Sequence, residues 1–400
     1  MKPRSFMLIA GEASGDLLAA ELVGALRERA LRDSSDQTGD VQPLRTELAP
    51  HFFGAGGPRM QAAGVDLALD LTQHSVIGIS DVLKNFFMFR RLFNQLFKLA
   101  IERLPDVIIG VDYGGFNLRF GTAIKNHVRR HRKEFAPWNP RMVQFVSPQV
   151  WASRPGRAWT LAENYDLLLS LFPFEKEWYA KRAPRLRVEF VGHPMIGRSP
   201  ESRVQSPKTR PGTSVVLLPG SRVDEVRRHL PVVTGAFELV RKEIPTVHGR
   251  LVLPSETLAD SAKSIGLPTG LEIQVGGLAE ALSQVDLALT KSGTITMECA
   301  MFGVPAVVFY KTSWPTYLIA KQIVSVPHLA MPNLLAGEEI FPEFVQDAAT
   351  PENIARAALE LLRDNARRQA VKTKLEKVVA SLGGPGATGR AADAIIRLLK

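Results

Sequence analysis

Short apolar runs alternate with amphipathic stretches along the whole chain. Phe6-Met7-Leu8-Ile9-Ala10 is unbroken by polar residues, the pattern of a strand covered on both faces. Leu17 to Arg29 follows, with Leu18, Leu22 and Leu26 at helical spacing on one side. Further strands are predicted at Asp106 to Asp112 (entered through Pro105), Arg141 to Val146 and Asp166 to Ser170, and Arg187 to Pro194 closes a first half. Between Gly197 and Gly212 large apolar residues almost vanish and Ser, Pro, Arg, Lys and Thr take over, which predicts a linker. The alternation then restarts, with strands expected at Ser214 to Leu218, Arg250 to Leu253, Leu271 to Val275, Asp286 to Thr290 and Ala306 to Tyr310. Ala387 to Leu399 returns to helical spacing through Ala391, Ile395 and Leu398. Strands separated by helices, twice over, predict an α/β protein with parallel sheets in two halves.

Composition narrows the class without naming an activity. A chain of 400 residues suits two domains better than one core. Apolar residues make up 45% and charged residues 22%, the balance of a globular chain and not of a disordered one. The single cysteine, Cys299, excludes an internal disulfide framework, and its apolar surroundings make it a buried structural thiol. The basic start and apolar run of Met1 to Ala10 are too short for a secretory signal and pass straight into Gly11-Glu12-Ala13-Ser14-Gly15-Asp16. No apolar stretch approaches the ~20 residues that span a bilayer, so a soluble or peripheral protein is expected. A net charge of +10 and a pI near 9.8 favour anionic partners. Charge alone does not choose among nucleic acid, phosphorylated substrates and acidic lipid, but no nucleic-acid-binding module is recognisable.

Ligands of open α/β sheets bind at the carboxyl ends of strands. After the first strand, Gly11 to Asp16 leads into a helix whose free N–H groups suit an anion, although Ser14 or Asp16 acting as a helix cap accounts for the same pattern. The G-x-G-x-x-G order of a dinucleotide site is absent there, and Gly54-Ala55-Gly56-Gly57-Pro58-Arg59-Met60 reads as a second Gly-rich turn or as no more than a strand–helix connection. Asp112 ends its strand, where a carboxylate either orients and deprotonates a hydroxyl or caps a turn. In the second half, Gly220, Ser221 and Arg222 offer backbone, hydroxyl and guanidinium donors to a phosphate, with a pairing of Arg222 to Asp224 or Glu225 as the competing arrangement. Ser292, Gly293 and Thr294 open a helix after another strand, and Glu298 one turn later suits ribose hydroxyls, unless it pairs with Lys291.

These segments, in this order, resemble the lipid-A-disaccharide synthase family over nearly the whole chain. The matching runs include Gly11 to Asp16, Gly57 to Gln61, Pro105 to Asp112, Val146 to Ala152, Pro173-Phe174-Glu175, Phe190 to Pro194, Leu217 to Arg222, Ser292 to Thr294 with Glu298, and Gly303-Val304-Pro305. The most specific is Val326 to Gly337, followed by Pro342-Glu343, Gln346 and Thr350 to Asn353. The resemblance implies a GT-B glycosyltransferase: two Rossmann-like domains facing each other across a cleft, with a C-terminal helix returning to the first. It implies domains at 1–196 (acceptor) and 213–375 (UDP-sugar), with a helical tail at 376–400. The implied reaction is inverting transfer from UDP-2,3-diacylglucosamine to 2,3-diacylglucosamine 1-phosphate, with no metal and no cofactor. Carried over by position, Asp112 and then Glu12 are the candidates for catalysis. Gly220, Ser221, Arg222, Ser292, Gly293, Thr294, Glu298 and Asn333 hold the UDP-sugar.

Departures from the family pattern fall beside the site. Tyr113-Gly114-Gly115 stands where a second carboxylate is usual, and Lys291 where a small residue is usual. Ser153 replaces an aromatic of the Trp151-Ala152-Ser153-Arg154 run, and the stretches Asp33 to His51 and His127 to Arg141 are longer than in the pattern. Between Val82 and Leu104, Val82, Phe86, Phe89, Phe93, Leu96 and Ala100 form a core-facing stripe, which leaves Phe87, Met88, Leu92 and Phe97 over beside Lys84, Arg90, Arg91 and Lys98. The excess suits an interfacial helix on an anionic membrane, with Phe86, Phe87, Met88, Arg90 and Arg91 in contact; burial between domains or in a homodimer is the other reading. A peripheral enzyme on the cytoplasmic face of the inner membrane of a Gram-negative-type bacterium follows from the resemblance. A UDP-sugar 2-epimerase of the same two-domain plan, or an inactive lipid-binding relative, fits the same halves.

Overall fold

The computed structural model describes residues 4–38, 49–72, 86–131, 137–197 and 212–400. The chain divides into two compact units, 1–198 with 382–400, and 199–381.

Unit 1 is built on strands β1 (Ser5–Ala10), β2 (His51–Gly56), β3 (Asp66–Asp70), β4 (Val107–Val111), β5 (Arg141–Phe145), β6 (Leu167–Ser170) and β7 (Val188–Phe190). Among the described residues they form one sheet in the order β3-β2-β1-β4-β5-β6-β7, every pairing parallel. The run Phe6 to Ala10 is fully buried because helices cover both faces of the sheet. Alternate residues serve different cores. Phe6, Leu8 and Ala10 join Leu18, Leu22 and Leu26 of helix Ala13–Thr38, whereas Met7 and Ile9 face Leu96, Ala100, Leu118 and Leu161 on the other side.

The terminal helix Ala387–Leu398 completes the first of these cores, with Ala391, Ala394 and Ile395 wholly buried. Arg390 fixes it by donating to the carbonyls of Val191, Gly384 and Pro385, and the His193 N–H donates to Leu382 O. The return begins at Leu382, not at 376: helix Asn365–Ser381 continues through the expected boundary and belongs to unit 2.

Unit 2 contains β8 (Ser214–Leu218), β9 (His248–Leu253), β10 (Leu271–Val275), β11 (Leu287–Lys291), β12 (Ala306–Tyr310) and β13 (Glu343–Val345), ordered β10-β9-β8-β11-β12-β13 and again parallel throughout. In each unit the strand order reverses beside the first strand, between β1 and β4 and between β8 and β11. At such a reversal the crossover helices leave to opposite faces and open a crevice at the carboxyl ends.

Sequence pattern missed β2, β3 and β13. The Gly54 to Met60 run is the strand–helix connection of the two readings: Gly54-Ala55-Gly56 ends β2, helix Pro58–Ala62 follows, and Gly54 lets the Leu8 backbone approach where any side chain would collide.

Candidate active site

In unit 1 the reversal point lies between Ala10 and Val111, and the residues after each carry carboxylates, Glu12 and Asp112. Asp112 and Tyr113 are both left-handed, with φ of 51° and 44°. Two successive non-glycine residues in that region are strained and need outside support. The Asp112 N–H donates to Phe145 O at 2.8 Å, and its carbonyl accepts from Asn117 Nδ2 and Gln144 Nε2, both at 2.9 Å. The opposite amide oxygens, Asn117 Oδ1 and Gln144 Oε1, are buried without a partner. Two orphaned acceptors are an uncommon expense for a fold, and here both amides are oriented by the Asp112 backbone. The Tyr113 ring lies over Gly11, where a side chain would meet it, and stacks on Phe116 at 5.4 Å. Burial and then the charge of Glu12 push the Asp112 carboxyl up, against the pull of the Tyr113 N–H. A carboxylate raised in this way is a stronger base.

Asp16 does not cap its own helix. It is buried and accepts from the N–H groups of Gly57, Arg59 and Met60, so it caps the short helix Pro58–Ala62 and ties the first two strand ends together. Farther along the same sheet edge sits a group that sequence reasoning did not single out. Glu175 is wholly buried and accepts from Trp151 Nε1 at 3.0 Å and the Phe172 N–H at 3.1 Å; burial pushes it up to about 7. Its signal was Pro173 with Glu175 two positions later, the start of a helix whose third residue reaches back to the N-cap N–H.

In unit 2 the reversal point brings the turn Gly220-Ser221-Arg222 beside Ser292-Gly293-Thr294. Ser221, Arg222 and Thr294 are exposed; Gly220, Ser292 and Gly293 are half-buried. Ser292 Oγ donates to Leu329 O, and Thr296 Oγ1 donates to Gly293 O and accepts the Met331 N–H, so the second turn is stitched to the loop before helix Met331–Ala336. The expected alternative of Glu298 with Lys291 is not formed. Lys291 instead reaches Glu225 at 3.1 Å, and Arg222 lies 3.5 Å from the same oxygen. Burial pushes Glu298 up to about 7. His229 bridges the two loop systems from within, Nδ1 donating to Pro219 O at 2.7 Å and Nε2 accepting the Lys311 N–H at 3.1 Å; burial lowers its affinity for a second proton.

Asn333 requires a correction. It is 0% exposed, its Nδ2 donates to Phe341 O and Glu343 Oε1, and its Oδ1 accepts the N–H groups of Ile340 and Phe341. All its hydrogen-bonding capacity is used inside the fold, so it is a clamp on the 337–343 loop and not a ligand-holding group. Glu343 is the other half of that clamp, accepting the N–H groups of Leu329 and Ala330.

The membrane candidates lie on helix Phe86–Arg103. Phe87 is 81% exposed, Arg90 and Arg91 are exposed, and Met88 is half-buried against the core. Leu92, expected to be left over, is buried, and Phe97 packs there too. Val82 and the Phe86 side chain lie outside the described residues.

Two parallel sheets of this order, each with polar residues at its reversal point, are the two halves of a GT-B fold. The chain is similar throughout to the CalG4 calicheamicin glycosyltransferase (TM-score 0.60, 16% identity, 100% and 99% of the two chains). It is also similar to Acinetobacter baumannii MurG (0.55, 14%, 99% and 100%) and to a putative UDP-N-acetylglucosamine 2-epimerase from Listeria monocytogenes (0.55, 15%, 100% and 96%). These likenesses establish the fold and do not separate transferase from epimerase. Sequence does. Residues 6–393 match the lipid-A-disaccharide synthetase family, and the lipid-A-disaccharide synthase of Syntrophus aciditrophicus is 34% identical over 100% of this chain and 99% of its own. That of Geobacter sulfurreducens is 32% identical over 98% and 97%. The chain belongs to the lipid-A-disaccharide synthase family, a glycosyltransferase of lipid A biosynthesis.

Proposed function

We propose that the chain joins UDP-2,3-diacylglucosamine to 2,3-diacylglucosamine 1-phosphate, with Asp112 as the general base. Residues 1–196 take the acceptor and 213–375 the UDP-sugar. The acceptor 6-hydroxyl attacks the donor's anomeric carbon as the carbon–oxygen bond to the diphosphate breaks; its proton passes to Asp112, and UDP leaves. Attack opposite the leaving group inverts the anomeric centre and gives a β-1′,6 bond. Arg222 and the N–H groups at Ser221, Gly293 and Thr294 meet the charge that develops on the diphosphate, and Glu298 accepts from the ribose.

The observation that carries this reading is Asp112 itself. A carboxyl held in a strained turn at the reversal point, raised by burial and by Glu12, is arranged for proton transfer. Glu12 contributes by keeping Asp112 basic. The two substrates carry acyl chains, and two exposed apolar elements suit a peripheral position on an anionic inner-membrane leaflet. One is the Phe87 face with Arg90 and Arg91; the other is helix Trp314–Ile323, on which Trp314, Leu318 and Ile319 are each more than half exposed. Among the described residues no helix is long and apolar enough to cross a membrane.

The test is acceptor-dependent UDP release. Asp112→Asn is expected to lower turnover by about 10²- to 10⁴-fold while UDP still binds. Turnover near that of the unaltered chain would remove Asp112 from the role.

A further inference from the structure

Three donors suited to a phosphate converge on one carboxylate in unit 2. Glu225 accepts the Ser221 N–H at 3.0 Å through Oε2 and the Lys291 ammonium at 3.1 Å through Oε1, while Arg222 lies 3.5 Å from Oε1. The side chains of Lys291 and Glu225 are 18% and 14% exposed, so the pair is largely withdrawn from water yet open on one side. Lys291 is the last residue of β11, and its Nζ would be 3.2 Å from a Cβ built on Gly293. The ammonium therefore stands between the turns that end β8 and β11, at the reversal point of the sheet. Burial works to raise the Glu225 carboxyl, and Lys291, the Ser221 N–H and Arg222 together outweigh it and hold it below the usual range.

We infer that Lys291 is a diphosphate-binding residue of the donor site, and that Glu225 holds the place of a phosphate oxygen until the nucleotide arrives. The inference rests on the donor assignment above and adds two residues to it. A carboxylate and a phosphate oxygen offer the same donors the same charge and acceptor geometry. A diphosphate carries more charge than one carboxylate, so it draws Lys291 and Arg222 away from Glu225. Lys291 ends a strand whose previous residue, Thr290, pairs with both β8 and β12, and Lys291 itself pairs with Phe309 of β12. It therefore presents its charge without the ordering that a loop lysine would need. A purely structural ion pair makes a different forecast: loss of Lys291 would lower stability and leave nucleotide affinity alone.

The experiment titrates the full chain with UDP by calorimetry and with uridine by NMR. Lys291→Met keeps the stem and removes the charge; it is expected to weaken UDP about tenfold, the worth of one charge-assisted hydrogen bond, and to leave uridine unchanged. Lys291→Arg is expected to restore most of the loss and serves as the folded control. Glu225→Gln keeps an acceptor for Ser221 without the competing charge and is expected to tighten UDP. UDP affinity within twofold of the unaltered chain in Lys291→Met, or equal losses for uridine and UDP, overturns the role of Lys291. Weakened UDP binding in Glu225→Gln overturns the placeholder role. Arg222→Ala separates the two levels: if it weakens UDP while Lys291→Met does not, only the present inference falls. If the unaltered chain binds no UDP, the donor assignment falls with it.

Discussion

Burial pushes Glu298 and Glu175 both up to about 7, and the two respond to pH in different ways. Glu298 lies half-buried one turn inside helix Ile295–Met301, which follows the carboxyl end of β11. To accept from ribose hydroxyls it must be ionised, so UDP affinity should rise as pH climbs through about 7 and level off above it. The nucleotide's own phosphate also titrates in acid, and Glu298→Gln separates the two contributions. Calorimetry from pH 6 to 8 should show a smaller rise in that variant than in the unaltered chain; identical slopes would place Glu298 away from the ribose. Glu175 touches no proposed ligand and acts on stability. Its folded value lies above the ordinary 4.5, so the native state holds the proton longer than the unfolded chain. The contribution is fully present below about 4.5 and is lost as pH rises through about 7, on the order of 3 kcal/mol in all. Urea midpoints at pH 5 and pH 8 should differ more in the unaltered chain than in Glu175→Gln. Strand-end position made Asp112, Arg222 and the Ser292 to Thr294 turn legible in the sequence. Side-chain partners were not legible: nothing in the spacing of Asn333 shows that two loops close over it, or that Lys291 reaches across to Glu225.

Helix Phe86–Arg103 shows how far a hydrophobic stripe can be read. Leu96 and Ala100 are buried as the 3.6-residue period requires, and Phe93 packs edge-on to Phe116 and Phe120. Leu92 is drawn in because the neighbouring helix Gly114–Arg130 widens the covered arc. What remains outside is Phe87 with its arginines. Phe87→Ser, which leaves every charge in place, should reduce cosedimentation with anionic lipid vesicles several-fold, as expected for removing most of a buried aromatic from a bilayer contact. Unchanged cosedimentation would assign the helix face to something else. The strands were legible wherever both sheet faces are covered, since Phe6 to Ala10 and Val107 to Val111 are apolar without interruption. β2 and β3 were not: β2 opens with a histidine and carries two glycines, and β3 is a five-residue edge strand bounded by Asp66 and Asp70.

The two units repeat one plan, and the predicted linker from Gly197 to Gly212, whose interior lies outside the described residues, spans the point where the chain divides. Their true membership was harder to see, because Leu382–Lys400 belongs with residues that precede it by nearly two hundred positions. Ala391 and Ile395 looked like one face of an ordinary amphipathic helix, and its destination depended on Leu18, Leu22 and Leu26 having a bare flank. A chain ending at Ser381 should therefore expose that flank. It is expected to bind a hydrophobic dye and to lose cooperative melting of unit 1, while the UDP affinity proposed for unit 2 stays within a few-fold. An unaltered melt would mean that the helix adds little to the core.

The same return crossing sets an order of events on the ribosome. The seven described strands of the first sheet are translated before any of unit 2, yet their core lacks its last helix until all of unit 2 has been made. Unit 2 has its own sheet and can finish folding from a contiguous stretch. The half made first is thus completed last, and the nascent chain carries an open apolar flank through the translation of almost two hundred residues. At ~5–20 residues per second this exposure lasts roughly ten to forty seconds. That interval is long enough for chaperones to engage the flank, and a ribosome stalled within unit 2 would release a chain whose first sheet was built but never closed.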